Sequence, residues 1–472
     1  MSLPSRRVVG PLDRRRTLTR CTYCAKRRIK CEGRVPCKQC DQRKLVCESQ
    51  QQSSTVPVFV QDALFRESTG ATGSKVAVTA TKQYPTPGPT NAIATDQHTF
   101  FLGQFVVFIK KNTLTVSFPL ILPDLLALLP TSAVMHHAAA ALGALEAAKL
   151  SLRTQSGQIA LRIAAVKSYR TALSTLQSCL TDANVAERDD ILWTTIFLGL
   201  FELLSDHSGE GWIKHMLYGT TKLLQLAGPT MAMSPLRRGF FDLYRVLEAS
   251  RALIYCEETI LSQGCWVDHQ TKLSSSHGSW EPMEAILTLM IQTSAFSLRS
   301  RAAVESIPES DRATDPLIAL IAAEGFTLQA ALHNWHTEAL LHLSQSLTET
   351  DDYFSLALLY HHALSIFLSG NYDYFSYWDR IAAPVLSSEE VSSHVLAIID
   401  ISEQLIARAQ LPGVMLVFPF TVAGARARLP GHRAKLLALI EGVIDKGFLV
   451  ANRVKDDLVV RWMAWDHSVS TV

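Results

Sequence analysis

The chain beyond about Phe100 is rich in apolar residues, and their spacing favours helices. In Ile159–Leu180 they recur at intervals of three and four residues with polar positions between them, which is the period of an amphipathic helix. Val134–Leu152 is dense in Ala and Leu, the residues with the strongest helix propensity. We find no convincing set of alternating strands and no fixed repeat. The pattern predicts a mainly all-α fold, with one large all-helical domain over residues 97–472.

The most apolar run, Ile191–Leu204, is predicted to be a buried central helix. It is too short to cross a bilayer and is interrupted by Thr194, Thr195 and Glu202, so no membrane partner is expected. Turn residues cluster between the other apolar segments. Those segments predict helices over Trp212–Leu226, Leu236–Leu261, Met283–Arg301, Leu317–Leu347, Phe354–Leu368, Ser388–Gln410, His432–Ile444 and Val454–Trp465.

The N-terminal part of the chain differs from this body in composition. Residues 48–96 are rich in Gln, Ser, Thr, Gly and Pro, and such a segment buries too little apolar surface to offset the entropy of ordering it. We interpret it as a flexible, disordered linker. No heptad pattern for a dimerising coiled coil follows the cysteine-rich region. The sequence therefore leaves open a monomer or a homodimer through the helical domain.

Charge is distributed unevenly along the chain. The whole sequence has a net charge of +2, whereas residues 1–50 carry a net +10, which leaves −8 on the remainder. A basic head on a mildly acidic body suggests that nucleic acid contacts the head. Residues 1–20 form a predicted basic, disordered arm, in which a cluster suited to nuclear import or phosphate contacts consists of Arg14, Arg15 and Arg16.

Six of the nine cysteines repeat the half-motif C-x2-C-x6-C twice within residues 21–47. This spacing suits zinc, because C-x2-C lets two sulfurs from one turn reach the same ion at about 2.3 Å. Two tetrahedral ions need eight ligand positions, which six cysteines supply only if two of them bridge. A disulfide framework and a zinc knot that mediates only protein contacts are the alternatives. The six residues are Cys21, Cys24, Cys31, Cys37, Cys40 and Cys47.

This stretch resembles the binuclear zinc-cluster DNA-binding domain of fungal transcription factors. The resemblance implies two Zn²⁺ ions bridged by the first and fourth cysteines, Cys21 and Cys37. The other four would complete the two sites in pairs, Cys24 with Cys31 and Cys40 with Cys47.

The same resemblance implies a short helix that presents basic side chains to the major groove. The principal base reader falls on Arg28, with Arg27 beside it and Lys26 and Lys30 adding positive charge. An arginine donates two parallel hydrogen bonds to O6 and N7 of guanine, so a CGG-type half-site is expected. Ala25 stands where the family usually has a basic residue, which leaves phosphate binding to its neighbours.

Parts of the body look like the fungal-specific transcription factor domain that follows such zinc clusters. The resemblance implies a helical regulatory domain, a class sometimes credited with effector sensing or self-association. It rests on Phe201–Leu204 followed by Trp212, His215 and Gly219; on Tyr360–Leu364; and on Phe418–Phe420 leading to Ala423 and Gly424, with Arg433 and Trp462 beyond.

The body contains no recognised catalytic motif, so we expect no enzyme. The patterns H-E-x-x-H, G-x-S-x-G, G-x-G-x-x-G and the Walker loop do not occur. Adjacent acids are expected at helix starts or on exposed faces, as at Asp189-Asp190, Glu257-Glu258 and Asp351-Asp352. Trp212 and His215 are expected to pack in the core. Surface or core roles are also expected for His333, His336, His342, His361 and His362.

Together these patterns predict a nuclear, sequence-specific DNA-binding transcription regulator with two Zn²⁺ ions. Double-stranded DNA and the transcription machinery or its co-regulators are the expected partners. The resemblance to this family favours activation of RNA polymerase II genes, in specialised metabolism or nutrient use. The rival interpretation is a helical scaffold or ligand-sensing protein whose zinc head mediates protein contacts.

Overall fold

The computed structural model describes most of the body and one short helix near the N-terminus. The described residues are 38–42, 90–150, 155–229, 233–275, 280–308, 310–312, 314–345, 351–373, 378, 381–408 and 411–470. They fall into two compact units, divided between Gln97 and His98. Throughout these ranges the regular structure is helical and no strand occurs, which confirms the predicted all-α body.

The described α-helices are numbered here in chain order. They are α1 (Lys38–Gln42), α2 (Thr90–Lys111), α3 (Phe118–Leu128), α4 (Ala133–Leu150), α5 (Gln155–Cys179), α6 (Asp189–Ser205), α7 (Glu210–His215), α8 (Thr221–Ala227), α9 (Pro235–Tyr255), α10 (Gly264–Ser275), α11 (Pro282–Ser306), α12 (Pro316–Gln345), α13 (Asp352–Gly370), α14 (Ser388–Arg408), α15 (Val417–Arg426), α16 (Pro430–Asp445) and α17 (Ala451–Ser470). Short 3₁₀ turns cover Val185–Glu187, Ile260–Ser262 and Gly413–Leu416, and a π-helical turn covers Met216–Thr220.

Helix α6 is enclosed by the other helices. Every residue from 191 to 201 is buried, and the helix packs against α4, α5 and α9. Its Trp193 contacts the ring of Phe240 at 6.1 Å between centroids, and the Trp193 indole N–H donates to the Leu236 carbonyl over 3.0 Å. Burying one large apolar side chain contributes about 1.5–3 kcal/mol, so α6 is a major source of stability. The predicted buried central helix is confirmed.

The threonines that interrupt the apolar run of α6 bond within their own helix. The Thr194 hydroxyl donates to the Asp190 carbonyl over 2.6 Å, and the Thr195 hydroxyl donates to the Leu192 carbonyl over 2.7 Å. These bonds remove the cost of burying an unpaired hydroxyl. Two polar residues are therefore compatible with a position in the core.

Helix α9 is shorter than its sequence predicts. It begins where the Ser234 hydroxyl accepts the Arg237 backbone N–H over 3.1 Å and Pro235 occupies the first turn. The prediction extended this helix to Leu261, but it ends at Tyr255 because Cys256 adopts the left-handed conformation, with φ of 51°. The following residues form a separate 3₁₀ turn.

The remaining differences from prediction arise where local signals and packing disagree. The segment predicted as one helix from Trp212 to Leu226 contains α7, the π-helical turn and α8. Helices α3, α10 and α15 were missed, and α3 and α15 contain prolines that normally mark breaks. Pro119 lies in the first turn of α3, where proline is tolerated, but Pro123 lies inside the helix. Burial of Phe118, Ile121 and Leu125 holds α3 against the core despite that proline. Helix α2 begins at Thr90, inside the segment assigned as linker.

The close approach of α2 to α4 depends on Gly143. A Cβ atom at this position would overlap the Phe101 carbonyl oxygen and lie 2.9 Å from the Phe105 backbone nitrogen. Phe101 and Phe105 are both buried, so backbone rather than a flexible side chain would have to move. Gly103, on α2 itself, is exposed and has nothing within 4 Å of its corresponding Cβ position.

Replacing Gly143 by Ala should therefore destabilise the helical domain by about 1–3 kcal/mol or more, because two backbones are forced apart. The matched variant Gly103→Ala should be neutral or stabilise the domain by up to about 1 kcal/mol, because Ala has the higher helix propensity. Urea unfolding followed by circular dichroism measures both. Equal effects of the two variants would contradict the proposed contact.

Candidate functional site

The described residues reach the cysteine motif only at helix α1. Cys40 lies in this helix and is fully buried, which is compatible with a sulfur ligand shielded from solvent. The other predicted metal ligands, the basic residues assigned to DNA and the predicted import cluster lie outside the described residues. They are Cys21, Cys24, Cys31, Cys37, Cys47, Lys26, Arg27, Arg28, Lys30, Arg14, Arg15 and Arg16.

A buried ion pair lies on helix α9, in the core of the body. The Arg251 guanidinium donates to both carboxylate oxygens of Glu248 over 2.8 Å, and neither residue is more than 1% exposed. Arg251 also donates to the Glu257 carboxylate over 2.8 Å and to the Glu258 carbonyl over 3.0 Å. Burial alone would lower the pKa of Arg251, but the hydrogen bonds and charge of Glu248 raise it. The pair is structural, because a buried charge needs its partner.

The acidic pair at the start of α6 also fixes neighbouring segments. Asp189 accepts from Arg237 and from the Ser234 hydroxyl, at 2.9 and 2.7 Å, which ties α6 to the start of α9. Asp190 accepts from Arg188 over 2.8 Å and from the Ser132 hydroxyl over 2.6 Å. Burial acts to raise the pKa of Asp190, but these hydrogen bonds hold it below its usual range. The expectation that these acids begin a helix is confirmed.

Residues that carried the resemblance in the body meet in several places, and two of them are described here. In the first, Gly199 of α6 lies against the Trp212 ring, where a Cβ would come within 3.0 Å of the indole. Tyr169 stacks on Phe201 at 4.4 Å and donates its hydroxyl to the Glu202 carboxyl. Burial raises the pKa of Glu202. This contact set joins α5, α6 and α7.

The second meeting point lies among the last three helices. The Trp462 indole N–H donates to the Gly424 carbonyl over 2.9 Å, and the Arg433 guanidinium lies 5.5 Å from the Trp462 ring. Arg433 also donates to Asp466 over 3.0 Å. Gly424, Arg433 and Trp462 thus connect α15, α16 and α17. Their role in the described structure is packing.

Four histidines form a cluster between α12, α13 and α14. The His336 and His361 rings stack at 4.8 Å, and Nδ1 of His362 lies 2.8 Å from Nδ1 of His394. Trp335 stacks on His361 at 5.2 Å. Burial, followed by the charges of the neighbouring imidazoles, lowers the pKa of His361 to about 2 and that of His362 to about 3. The cluster is neutral at physiological pH.

The sequence analysis named His336, His361 and His362 but did not place them together. It did not identify His394. The (i, i+1) spacing of His361 and His362 gives no signal for partners on α12 and α14. Among the described residues, no group of three or more His, Cys, Asp or Glu side chains is placed to hold a metal ion. Only His361 is fully buried, and His336, His362 and His394 are partly exposed, so the cluster is a stack of aromatic rings at the edge of the core.

His215 is a further buried imidazole. Burial lowers its pKa to about 4, and a backbone hydrogen bond to Thr195 partly opposes this effect. Its Nε2 atom has no hydrogen-bond partner in the described part of the chain. The prediction that Trp212 and His215 pack in the core is confirmed, since both are buried.

These histidines make the stability of the domain depend on pH. Their folded pKa values lie below the unfolded value of about 6.5, so the unfolded chain binds protons more readily. The stability contributed by these neutral histidines is fully present above about pH 6.5 and is lost progressively as the pH falls below that value. At pH 5.5, His215, His361 and His362 should each lower the free energy of unfolding by about 1.4 kcal/mol. Together they should lower it by about 4 kcal/mol.

Urea unfolding between about pH 7.5 and 5.5 measures this loss. The variant His361→Phe keeps a ring in the stack and should reduce the number of protons taken up on unfolding by about one. His207→Gln is the matched control, because His207 is exposed. A flat pH profile, or equal effects of both substitutions, would contradict the assignment.

Comparisons with known proteins place the body in a family. Residues 110–467 match the family model described as fungal specific transcription factor domain. A stretch of 136 residues is 25% identical to Uncharacterized protein AN5342 of Emericella nidulans, which is 29% of this chain and 29% of that protein. No solved structure matches the chain. Because the family match covers most of its length, this chain belongs to the fungal-specific transcription factor domain family, a family of transcription regulators that implies a nuclear location.

Proposed function

We propose that the protein is a sequence-specific DNA-binding regulator whose N-terminal head reads DNA through a binuclear zinc cluster. The observation that carries the proposal is the doubled C-x2-C-x6-C motif within a strongly basic 50-residue segment, in a chain that belongs to a transcription factor domain family. Neither feature alone gives this function. A zinc motif can serve protein contacts, and a helical body can serve many roles.

In this proposal the six cysteines hold two Zn²⁺ ions, with Cys21 and Cys37 shared between them. Six thiolates and two Zn²⁺ sum to −2, a charge that the interleaved Lys and Arg residues offset. Structural zinc contributes about 10–16 kcal/mol to the folding of small domains of this kind. The metal would thus supply the stability that so short a segment cannot obtain from an apolar core.

Once folded, the head would divide its contacts between bases and phosphates. Arg28, supported by Arg27, reads guanine in a CGG-type half-site, because its planar fork matches O6 and N7. Lys26 and Lys30 contact phosphates and set affinity rather than specificity. The cluster Arg14–Arg16 extends the phosphate contacts or serves nuclear import.

The helical body would act as the regulatory part and bind co-regulators or the transcription machinery. Its family membership points to a regulator rather than an enzyme. By analogy with the family, we expect the protein to activate RNA polymerase II genes in a specialised-metabolite or nutrient-use pathway.

Zinc content tests the metal cluster. Full-length protein purified with zinc should contain about two ions per chain, and Cys37→Ser should remove about one or both together with DNA binding. Cys265→Ser is the matched control, since Cys265 is an exposed cysteine of the body. Markedly fewer than two zinc ions in the unmodified protein would refute the cluster. Two zinc ions without binding to any duplex in a random-sequence gel shift would instead support the protein-contact alternative.

The base reader is tested by Arg28→Ala. This substitution should weaken binding to the preferred duplex by about 1–3 kcal/mol and relax specificity at one base pair, because one bidentate contact is lost. Arg162→Ala removes an equal charge from an exposed position on α5 and should leave both unchanged. Selection from random DNA, followed by titration at fixed salt, measures both quantities. An unaltered base preference for Arg28→Ala would exclude this residue as the reader.

A further inference from the structure

Helix α5 has one face packed on the body and one face open to solvent. It packs against α4 and α6, and its inner face includes the buried residues Ala165 and Leu176. At the edge of that face, Tyr169 stacks on Phe201 of α6 and donates its hydroxyl to the Glu202 carboxyl. These contacts fix the rotation of α5 and therefore define which residues lie on its solvent side.

The chain around α5 reverses the sign of the charge carried by the body. Residues 51–472 sum to −8, yet residues 147–181 contain five Lys or Arg and no Asp or Glu. The acids that border this stretch are paired with other cations. Glu146 pairs with Lys111 over 3.0 Å. Asp182 pairs with Arg188 over 3.3 Å. Positive charge is thus concentrated at α5, on a body that is otherwise acidic.

The charged residues of α5 have no carboxylate to pair with. They are Arg162, Lys167 and Arg170, all of them exposed, and none forms an ion pair within the described part of the chain. Surface helices commonly place Glu and Lys one turn apart, where the two charges attract each other. On α5 that attraction is left available to the carboxylates of a partner.

Exposed apolar residues lie on the same side of α5 as two of these cations. Ile159 is 51% exposed and Ile163 is 64% exposed, one turn apart, and the exposed residues Lys167, Arg170 and Ser174 follow them. At 3.6 residues per turn the five positions fall within a sector of about 80°. This series, Ile159 to Ser174, is called here the α5 stripe. It is apolar at its beginning and basic towards its end.

We propose that the α5 stripe binds an acidic, amphipathic segment of another protein. Apolar side chains of that segment cover Ile159 and Ile163, and its carboxylates pair with Lys167 and Arg170. The guanidinium of Arg170 can donate two parallel hydrogen bonds to one carboxylate. The apolar contact excludes water beside these pairs and so strengthens them. Within the function proposed above, the stripe would be the docking site of a co-regulator, and the proposal names the chemistry of that partner.

Nucleic acid is the competing occupant, because lysine and arginine also bind phosphates. The two isoleucines argue against it, since a phosphate backbone offers them no apolar contact. The stripe also carries only Lys167 and Arg170 as cations, whereas a protein that binds duplex DNA through its backbone commonly makes about 6–10 phosphate contacts. An acidic protein segment matches both the apolar and the basic part of the stripe.

The length of the stripe indicates weak, reversible binding. From Ile159 to Ser174 the helix rises by about 22 Å, which is about four turns. Contacts of this size belong to transient encounters, so we expect dissociation constants in the micromolar range. Because Lys167 and Arg170 are exposed, their attraction should weaken as salt screens it over about 10 Å at 0.1 M ionic strength.

Selection from a phage-displayed library of random peptides of about 16 residues tests the partner, since a helix of that length matches the stripe. The full-length, zinc-loaded protein is the bait. The charge-reversed double variant Lys167→Glu, Arg170→Glu is used for counter-selection, which removes peptides that bind the basic head. The remaining peptides should be enriched in Asp, Glu and large apolar residues, with both kinds on one helical face.

Fluorescence anisotropy with a recovered peptide then separates the two parts of the stripe. The charge-reversed variant should bind the peptide at least about tenfold more weakly than the unmodified chain. Ile163→Ser leaves the charge unchanged and should weaken binding about three- to tenfold, because apolar contact is lost. The matched control is the double variant Lys110→Glu, Lys222→Glu. It reverses two exposed cations outside α5 and should bind like the unmodified chain.

Three results would overturn the proposal: no acidic enrichment after counter-selection, equal weakening by the control variant, or normal binding by Ile163→Ser. In those cases the face of α5 is only solvated, or it acts through charge alone. Weaker binding of the charge-reversed variant to the preferred DNA duplex, compared with the control variant, would assign the stripe to nucleic acid instead. The zinc content and the gel shift concern the head, so failure here would leave them unaffected.

Discussion

The body of this protein is organised by one constraint, the burial of residues 191–201 of helix α6 on every side. A helix that is apolar on all sides has no solvent face and must be enclosed by other helices. This requirement brings α4, α5 and α9 against it and produces the close approaches at Gly199 and Trp212. The close crossing of α2 and α4 at Gly143 is a second result of dense packing in the core.

Such dense packing encloses polar groups as well. Glu248 and Arg251 are buried as a pair because neither charge could be buried alone, and the loss of either would leave the other uncompensated. The clustered histidines of α12, α13 and α14 are kept neutral instead, because burial and the neighbouring imidazoles lower the pKa of His361 and His362. One core thus contains charges that require partners and imidazoles that resist protonation.

The two parts of the chain would gain their specificity by different physical means. The cysteine head would depend on metal coordination, which needs few residues and little apolar surface. The body depends on the burial of many helices against one another, and this leaves its exposed surface available for a partner. In the function proposed above, recognition of DNA would belong to the head and recognition of co-regulators to the body.

The sequence alone determined the features that depend on near neighbours: the cysteine spacing, the basic head, the helical period and the buried character of Ile191–Leu204. It did not determine the end of α9, because the left-handed conformation of Cys256 has no strong sequence signal. Nor did it reveal the meeting of His394 with His361 and His362. Those features depend on the relative placement of helices far apart in the chain, and only tertiary packing decides that placement.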